Sequence, residues 1–284
     1  ADSHRGKIEI GILGEGKRSV RLNGLPVRKI SELMGALNSI VFAPEDLRII
    51  KEAPSLRRRM MDMELCKISP GYYRSLQSYS LALKSKNKLL KNPRADAGVL
   101  SAYSEQMAAY GEQMIEERAA FVEQLNACTA RFYHNLQGVS EGIEIRYKCS
   151  AEVENARESL LVKMQANAAR EREMGVCLTG PHREDLEILI NGRDSKIYAS
   201  QGQQRTAMLA IRLASLEVAQ AQTGEAPVLL LDDVFSELDR RRRESLMEIV
   251  SGNQVFITCT DMEGMKEFAG ASYFSVEEAT VRRQ

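Results

Sequence analysis

The stretch "PVLLLDDVFSELD", Pro227 to Asp239, ends a continuous apolar run in two adjacent carboxylates, Asp232 and Asp233. Such a run reads as a strand covered on both faces in a parallel sheet. Both acids then fall at the strand's C-terminal edge, where ligands bind in open α/β folds. There the first acid can hold magnesium through its water shell, and the second can orient or deprotonate an attacking water. A plain turn start is the alternative for an isolated apolar run followed by Asp-Asp, and the "SELD" directly after it favours the chemical reading. A second set lies upstream in "SQGQQRT", Ser200 to Thr206. Ser200 and Gln203 have the S-x-x-Q spacing of a capping box, which by itself makes a helix start. Gly202 and the amides of Gln201, Gln203 and Gln204 go beyond what capping needs. With Ser200 they present a hydroxyl, backbone N–H groups and a positive helix dipole to an anion.

A third stretch, "GILGEGKRS" from Gly11 to Ser19, comes within one residue of the phosphate-binding pattern G-x-x-x-x-G-K-[ST]. Arg18 occupies the position of the magnesium-binding hydroxyl, and the pattern also requires a buried strand before it and a helix after it. Here Ile8, Ile10 and Ile12 alternate on one side and Val20 and Leu22 on the other, so both flanks read as strand. Gly14, Glu15 and Gly16 then form the turn of a β-hairpin, and the match is a decoy.

These groups have to be positioned by three regions of different texture. Residues 1 to about 43 are strand-like and end in "NSIVFAP". From Glu45 to about Glu173 apolar residues recur at three and four spacings, as in Tyr72, Leu76, Tyr79 and Leu83, with breaks at Pro93 and Gly138 and a short strand candidate from Ile143 to Tyr147. "AEVENARESLLVKMQANAAREREMG" predicts one more charged helix, a solvated bundle face or short coiled-coil arm. The last third returns to α/β texture. "DLEILINGRDSKIYAS" predicts two strands joined through Asn191-Gly192. "RTAMLAIRLASLEVAQAQTG" predicts a buried helix closed by Gly224, and "QVFITCTD" a second strand after the helix "RRRRESLMEIV". We expect an α/β head built discontinuously from residues 1–44 and 176–284, with residues 45–175 inserted as a helical arm.

The 284 residues carry 39 Lys and Arg against 39 Asp and Glu, so no overall field draws the molecule to nucleic acid or an anionic membrane. No apolar run is long enough to span a bilayer and no apolar signal core opens the chain, which predicts a cytoplasmic, membrane-free protein. The cysteines at 66, 128, 149, 177 and 259 are odd in number, scattered and without a C-x-x-C pair, which favours buried reduced thiols over disulfides or zinc. Arg57 to Arg59 and Arg240 to Arg243 form solvated helix faces or contact DNA phosphates. His182 in "TGPHRED" either helps position the site or is structural, and the Met-rich "EQMAAYGEQM" reads as packing.

Taken together, "TGPHREDLEILING", "YASQGQQRTAMLAIRLA" and "VLLLDDVFSELDRRRR" resemble, in order and spacing, the ATPase head of the ABC class and within it the RecF family. "RIIKEAPSLRRRMMDMEL" extends the resemblance over essentially the whole chain. It implies an ABC-type head with a P-loop-like sheet, here incomplete, and an inserted helical arm. It implies that Ser200, Gln201, Gly202, Gln203 and Gln204 form the signature motif, acting in trans. Asp232 becomes the Walker B magnesium residue, Asp233 stands where ABC proteins usually carry a catalytic glutamate, and Ser236, Glu237, Leu238 and Asp239 form the D-loop. The implied cofactors are ATP and Mg2+. The implied partners are double-stranded and gapped DNA, RecR and RecO, RecA indirectly, and a second copy of the chain in an ATP-dependent homodimer. Two departures stand out. The switch histidine is replaced by "TCTD", with Thr258, Thr260 and Asp261. The Walker A loop is expected upstream of Ala1, so that this stretch by itself is expected to bind ATP poorly or not at all. The rival expectations are an SMC-like tether head, which needs long coiled coils, and a binding module without turnover.

Overall fold

The computed structural model describes residues 6–12, 18–29, 32–33, 36–137, 141–235, 238–260, 270–278 and 280–283. Strands β1 (Ile8–Ile12) and β2 (Arg18–Leu22) pair antiparallel with Ile10 opposite Val20, and β3 (Leu25–Pro26) adds to β2. The near-match to a phosphate loop is therefore the link between hairpin strands, and its residues 13–17 lie outside the described set. Strand β4 (Ser39–Phe42) enters the core, and Pro44 then opens a short turn into α1 (Leu47–Lys51).

The arm follows. Helix α2 (Pro54–Ile68) stops before Pro70, which begins α3 (Pro70–Leu90), because a proline disfavours helical backbone in the residue before it. Ser69 caps α3 by accepting the Tyr72 N–H at 3.0 Å. Helix α4 (Ala97–Gln137) is 41 residues long, about 60 Å at 1.5 Å per residue. Met107, Met114, Phe121 and Leu125 are among its buried residues, and the helix packs against α3, α5 and α7. Strand β5 (Ile143–Lys148) and α5 (Ala156–Met174) complete the arm. Leu160 and Met164 of α5 are buried while most of its remaining residues stay in contact with water. A Cβ on Gly111 of α4 would come within 2.9 Å of Leu160, so the two helices touch at a glycine.

Strand β6 (Asp185–Ile190) pairs antiparallel with β5, so this sheet draws a strand from each side of the expected boundary at residue 175. β7 (Arg193–Asp194) follows the Asn191-Gly192 turn, where both residues have positive φ, 51° and 73°. The second alternating run then departs from the sequence expectation. It turns helical as α6 (Ser195–Tyr198), because the Asp194 carboxylate caps the Lys196 N–H at 2.8 Å.

Helix α7 (Gln201–Thr223) is capped by Gly224 at φ 74° and buries one face after another, as expected of a nearly all-apolar helix. Strand β8 (Val228–Asp232), α8 (Arg240–Ile249), β9 (Val255–Thr258) and the hairpin of β10 (Phe274–Glu277) with β11 (Thr280–Arg283) end the chain. β8 runs parallel between β4 and β9, so the head sheet joins residues far apart in sequence. Ile40, Phe42, Leu229 and Leu231 are buried on the face that meets α7. Cover on both faces was the expectation, but Val41 and Phe256, aligned through Leu230, are 45% and 56% exposed. Alternate residues of a strand point to opposite faces, and among the described residues only one of the two is packed.

Buried and partly buried ion pairs tie together residues far apart in the sequence. Arg212 of α7 grips Asp46 at 2.7 and 3.0 Å and Glu64 of α2 at 3.2 Å. Arg118, the largest fully buried side chain, reaches Asp62 at 2.7 Å, Tyr72 at 2.8 Å, Glu184 at 2.8 Å and the Pro181 carbonyl at 2.9 Å.

Candidate functional site

Asp232 ends β8 directly opposite Thr258, the last residue of β9. The Thr258 hydroxyl donates to the Asp232 carboxylate. Its oxygen also accepts the Asp233 N–H at 3.1 Å, and the Thr258 carbonyl shares that N–H at 3.2 Å. This fork bends the chain off the sheet edge with Asp233 at φ 50°, a left-handed conformation that aspartate tolerates better than most residues. Asp232 stays exposed, while Val234 and Phe235 dive into the core and anchor the turn.

Beyond the turn, Leu238 is buried and Asp239 caps α8 by accepting the Arg242 N–H at 2.9 Å. Arg243 Nε donates to the Leu238 carbonyl at 2.8 Å, with its guanidinium over the Phe235 ring at 5.9 Å. Ser236 and Glu237, expected in the D-loop, lie outside the described residues, as does Asp261.

The other set caps α7. Ser200 Oγ accepts the Gln203 N–H at 3.2 Å, and Gln203 Oε1 accepts the Ser200 N–H at 2.8 Å, a complete capping box. Gln204 is buried and donates to the Ser195 carbonyl at 2.9 Å, tying the cap to the preceding turn. Gln201 and Gly202 are exposed. Among the described residues, a Cβ on Gly202 would meet nothing nearer than Ser200 Oγ at 4.0 Å, so their packing does not demand a glycine there.

Other candidates take structural positions. His182 Nδ1 accepts the Tyr79 hydroxyl at 2.6 Å, and Nε2 donates to the Cys177 carbonyl at 3.2 Å. Burial in that position pushes its pKa down to about 4, so the ring is neutral at pH 7. Arg57, expected on a solvated or DNA-facing surface, is instead buried and paired with Asp185 at 2.7 and 2.9 Å. Arg240 pairs with Glu244 at 2.8 Å and Arg242 reaches Gln137 at 2.7 Å. Met107 and Met114 are core residues. Burial pushes the Cys66 and Cys177 thiols up to about 12, well away from a reactive thiolate.

No family model matches the sequence. Individual relatives do. The DNA replication and repair protein RecF of Clostridium beijerinckii is 40% identical over 264 residues, covering 92% of this chain and 72% of that protein. This chain belongs to the RecF family. RecF of Clostridium kluyveri is likewise 40% identical over 282 residues, with 98% of this chain and 78% of that protein covered. Among solved structures, the recombination mediator RecF with ATP in the RecFOR pathway superposes with a TM-score of 0.89 at 35% identity, over 100% of this chain and 78% of that one. An Smc head domain from Pyrococcus furiosus shares the fold alone, with a TM-score of 0.55 at 16% identity over 100% of this chain and 72% of that one. The mixed α/β architecture expected of an ABC-type head is thus the architecture of RecF and SMC heads.

Two of the sequence-expected groups, Asp232 and Asp233, are fastened together by Thr258. Ser200 to Gln204 form the N-terminal end of α7. Besides the Gln204 bond to the Ser195 carbonyl, Gln203 links them to the chain after α4, its Nε2 donating to Glu141 at 2.9 Å. Glu141 carries no local motif, and only its fold partners mark it out.

Proposed function

We propose that this protein is a RecF-type ATPase that dimerises around ATP on double-stranded DNA, hydrolyses it slowly, and assists RecA loading at gapped DNA with RecO and RecR. The observation that carries the nucleotide part is the Asp232–Asp233 pair, held by Thr258 at the C-terminal edge of a parallel sheet. The similarity to a RecF solved with ATP supports the same ligand. The edge suits Mg2+, because an exposed carboxylate with a hydroxyl beside it offers hard oxygen donors and leaves positions for water and phosphate. Asp232 would hold the ion through water, and the ion would supply charge neutralisation to a bound triphosphate. Asp233 orients the attacking water and takes its proton. Ser236, Glu237, Leu238 and Asp239 serve as the D-loop.

The signature residues Ser200, Gln201, Gly202, Gln203 and Gln204 act on the nucleotide of a second protomer. The open space around Gly202 supports this, since a glycine spared by its own chain's packing suits close approach from outside. ATP is then an adhesive. Hydrolysis replaces a γ-phosphate gripped from both sides with products that no longer bridge, and the dimer loosens. A tether role is disfavoured because it needs long coiled coils free of the head, whereas α4 packs against α7 as well as against α3 and α5.

The test uses the intact gene product. Asp233→Asn retains ATP binding, slows turnover by about 10²–10⁴-fold and stays dimeric longer. Ser200→Arg binds ATP and fails to dimerise by sedimentation. Nucleotide-dependent association with normal turnover in the second variant would show that the cap does not act in trans.

A further inference from the structure

Between the cap of α7 and the cap of α8 stands one carboxylate, Glu141. Its Oε1 accepts Gln203 Nε2 at 2.9 Å, and its Oε2 accepts Gln137 Nε2 at 3.0 Å and the Tyr133 hydroxyl at 3.1 Å. Each glutamine is also used at its other end. Gln203 Oε1 accepts the Ser200 N–H at 2.8 Å, and Gln137 Oε1 accepts Arg242 Nη2 at 2.7 Å. Arg242 in turn gives its backbone N–H to Asp239 at 2.9 Å, with its guanidinium 3.6 Å from the same carboxylate. An unbroken polar chain therefore runs from Ser200 to Asp239 across the last turn of α4.

The chemistry of the chain is directional. An ionised carboxylate only accepts, so both glutamines must turn their NH2 groups toward Glu141 and their carbonyls outward. Outward, each carbonyl meets a donor, a backbone N–H at one end and a guanidinium at the other. Gln137, Glu141 and Gln203 are all half-buried, where water competes less for these bonds and charge-assisted pairs are stronger. A neutral amide at position 141 cannot serve both neighbours, because its own NH2 would face one of theirs.

We propose that Glu141 is a positioning residue that couples the signature cap to the D-loop end of α8 and to the root of the arm helix α4. The inference rests on the reading of Ser200–Gln204 and Asp239 as parts of a nucleotide site. An anion seated on the cap competes with Gln203 for the Ser200 N–H. The Gln203 amide is released, Glu141 loses a donor on that side, and its hold on Gln137 and Arg242 changes. The arm thereby registers whether the cap is occupied.

The test uses the intact gene product and two readouts. In nucleotide-free protein, Glu141→Gln speeds amide exchange at both helix starts, around Gln203 and around Arg242, while Gln137→Ala speeds it around Arg242 and leaves the global unfolding midpoint near that of the parent. In ATP-dependent association, Gln203→Ala and Arg242→Ala, which share no contact, deviate from additivity by on the order of tenfold, and the deviation vanishes in the Glu141→Gln background. Faster exchange confined to α7, or additive effects of the two single changes, overturns the proposal. An absence of ATP-dependent association in the parent protein refutes the functional reading, and the exchange measurement then decides the coupling alone.

Discussion

Thr258 donates its hydroxyl to the Asp232 carboxylate while accepting the backbone N–H of Asp233 at 3.1 Å, so one side chain fixes both acids of the sheet edge. Thr258→Val keeps the shape and removes both bonds. Asp232 is exposed, so water replaces what it loses and the fold gives up only about 1 kcal/mol. Turnover should fall at least about tenfold as the acids lose their alignment, and Thr258→Ser should restore it. Phosphate release and chemical denaturation of the three proteins check the pair of outcomes.

Gly202→Ala separates stability from assembly. Among the described residues the added methyl meets nothing closer than 4.0 Å, and alanine is a better helix former by up to about 1 kcal/mol. The variant should melt at the same temperature or higher yet lose ATP-dependent association. Unchanged association by sedimentation would remove Gly202 from the proposed interface.

His182 makes stability depend on pH. Burial is the main reason its pKa falls from 6.5 to about 4, only partly countered by the bond to the Cys177 carbonyl, and neighbouring Arg183 and Arg58 lower it further. The unfolded ring takes up a proton that the folded ring refuses, so this contribution is complete above pH 6.5 and is lost as pH falls toward 4. The loss reaches on the order of 2 kcal/mol by about pH 5. Urea denaturation at pH 7 and pH 5 should show a smaller drop for His182→Gln than for the parent.

Gly180 has φ 129°, and a Cβ there would lie 2.2 Å from the Tyr79 hydroxyl that bonds His182. Gly180→Ala therefore meets both backbone strain and a clash, and should destabilise by about 2 kcal/mol or more. Adding Tyr79→Phe removes the nearest clashing atom and should recover part of that loss. If the double variant were no more stable than Gly180→Ala, the clash would not be the cause.

The elements that carry the candidate site are local in the sequence. The apolar run before Asp232, the S-x-x-Q cap at Ser200 and Gly224 each announce themselves within a few residues. Partnerships across the fold do not. Arg57 looks like part of a basic surface run because its partner Asp185 lies 128 positions away. Arg118 gives no sign of being buried, since Asp62 and Glu184 are 56 and 66 positions distant. Ile197 and Tyr198 are strand-favouring residue types in a run that predicts a strand, but the Asp194 cap decides for helix. Glu141 is invisible for the same reason as Arg118. Its meaning lies in Gln203, 62 residues downstream.

The length of α4 gives its last turn unusual leverage. Gln137 sits at one tip of a rod about 60 Å long, so a pivot of about one degree there sweeps the opposite tip, near Ala97, through about 1 Å. A rearrangement too slight to notice among hydrogen bonds at the hinge would thus be magnified into a displacement that a molecule touching the remote end could feel.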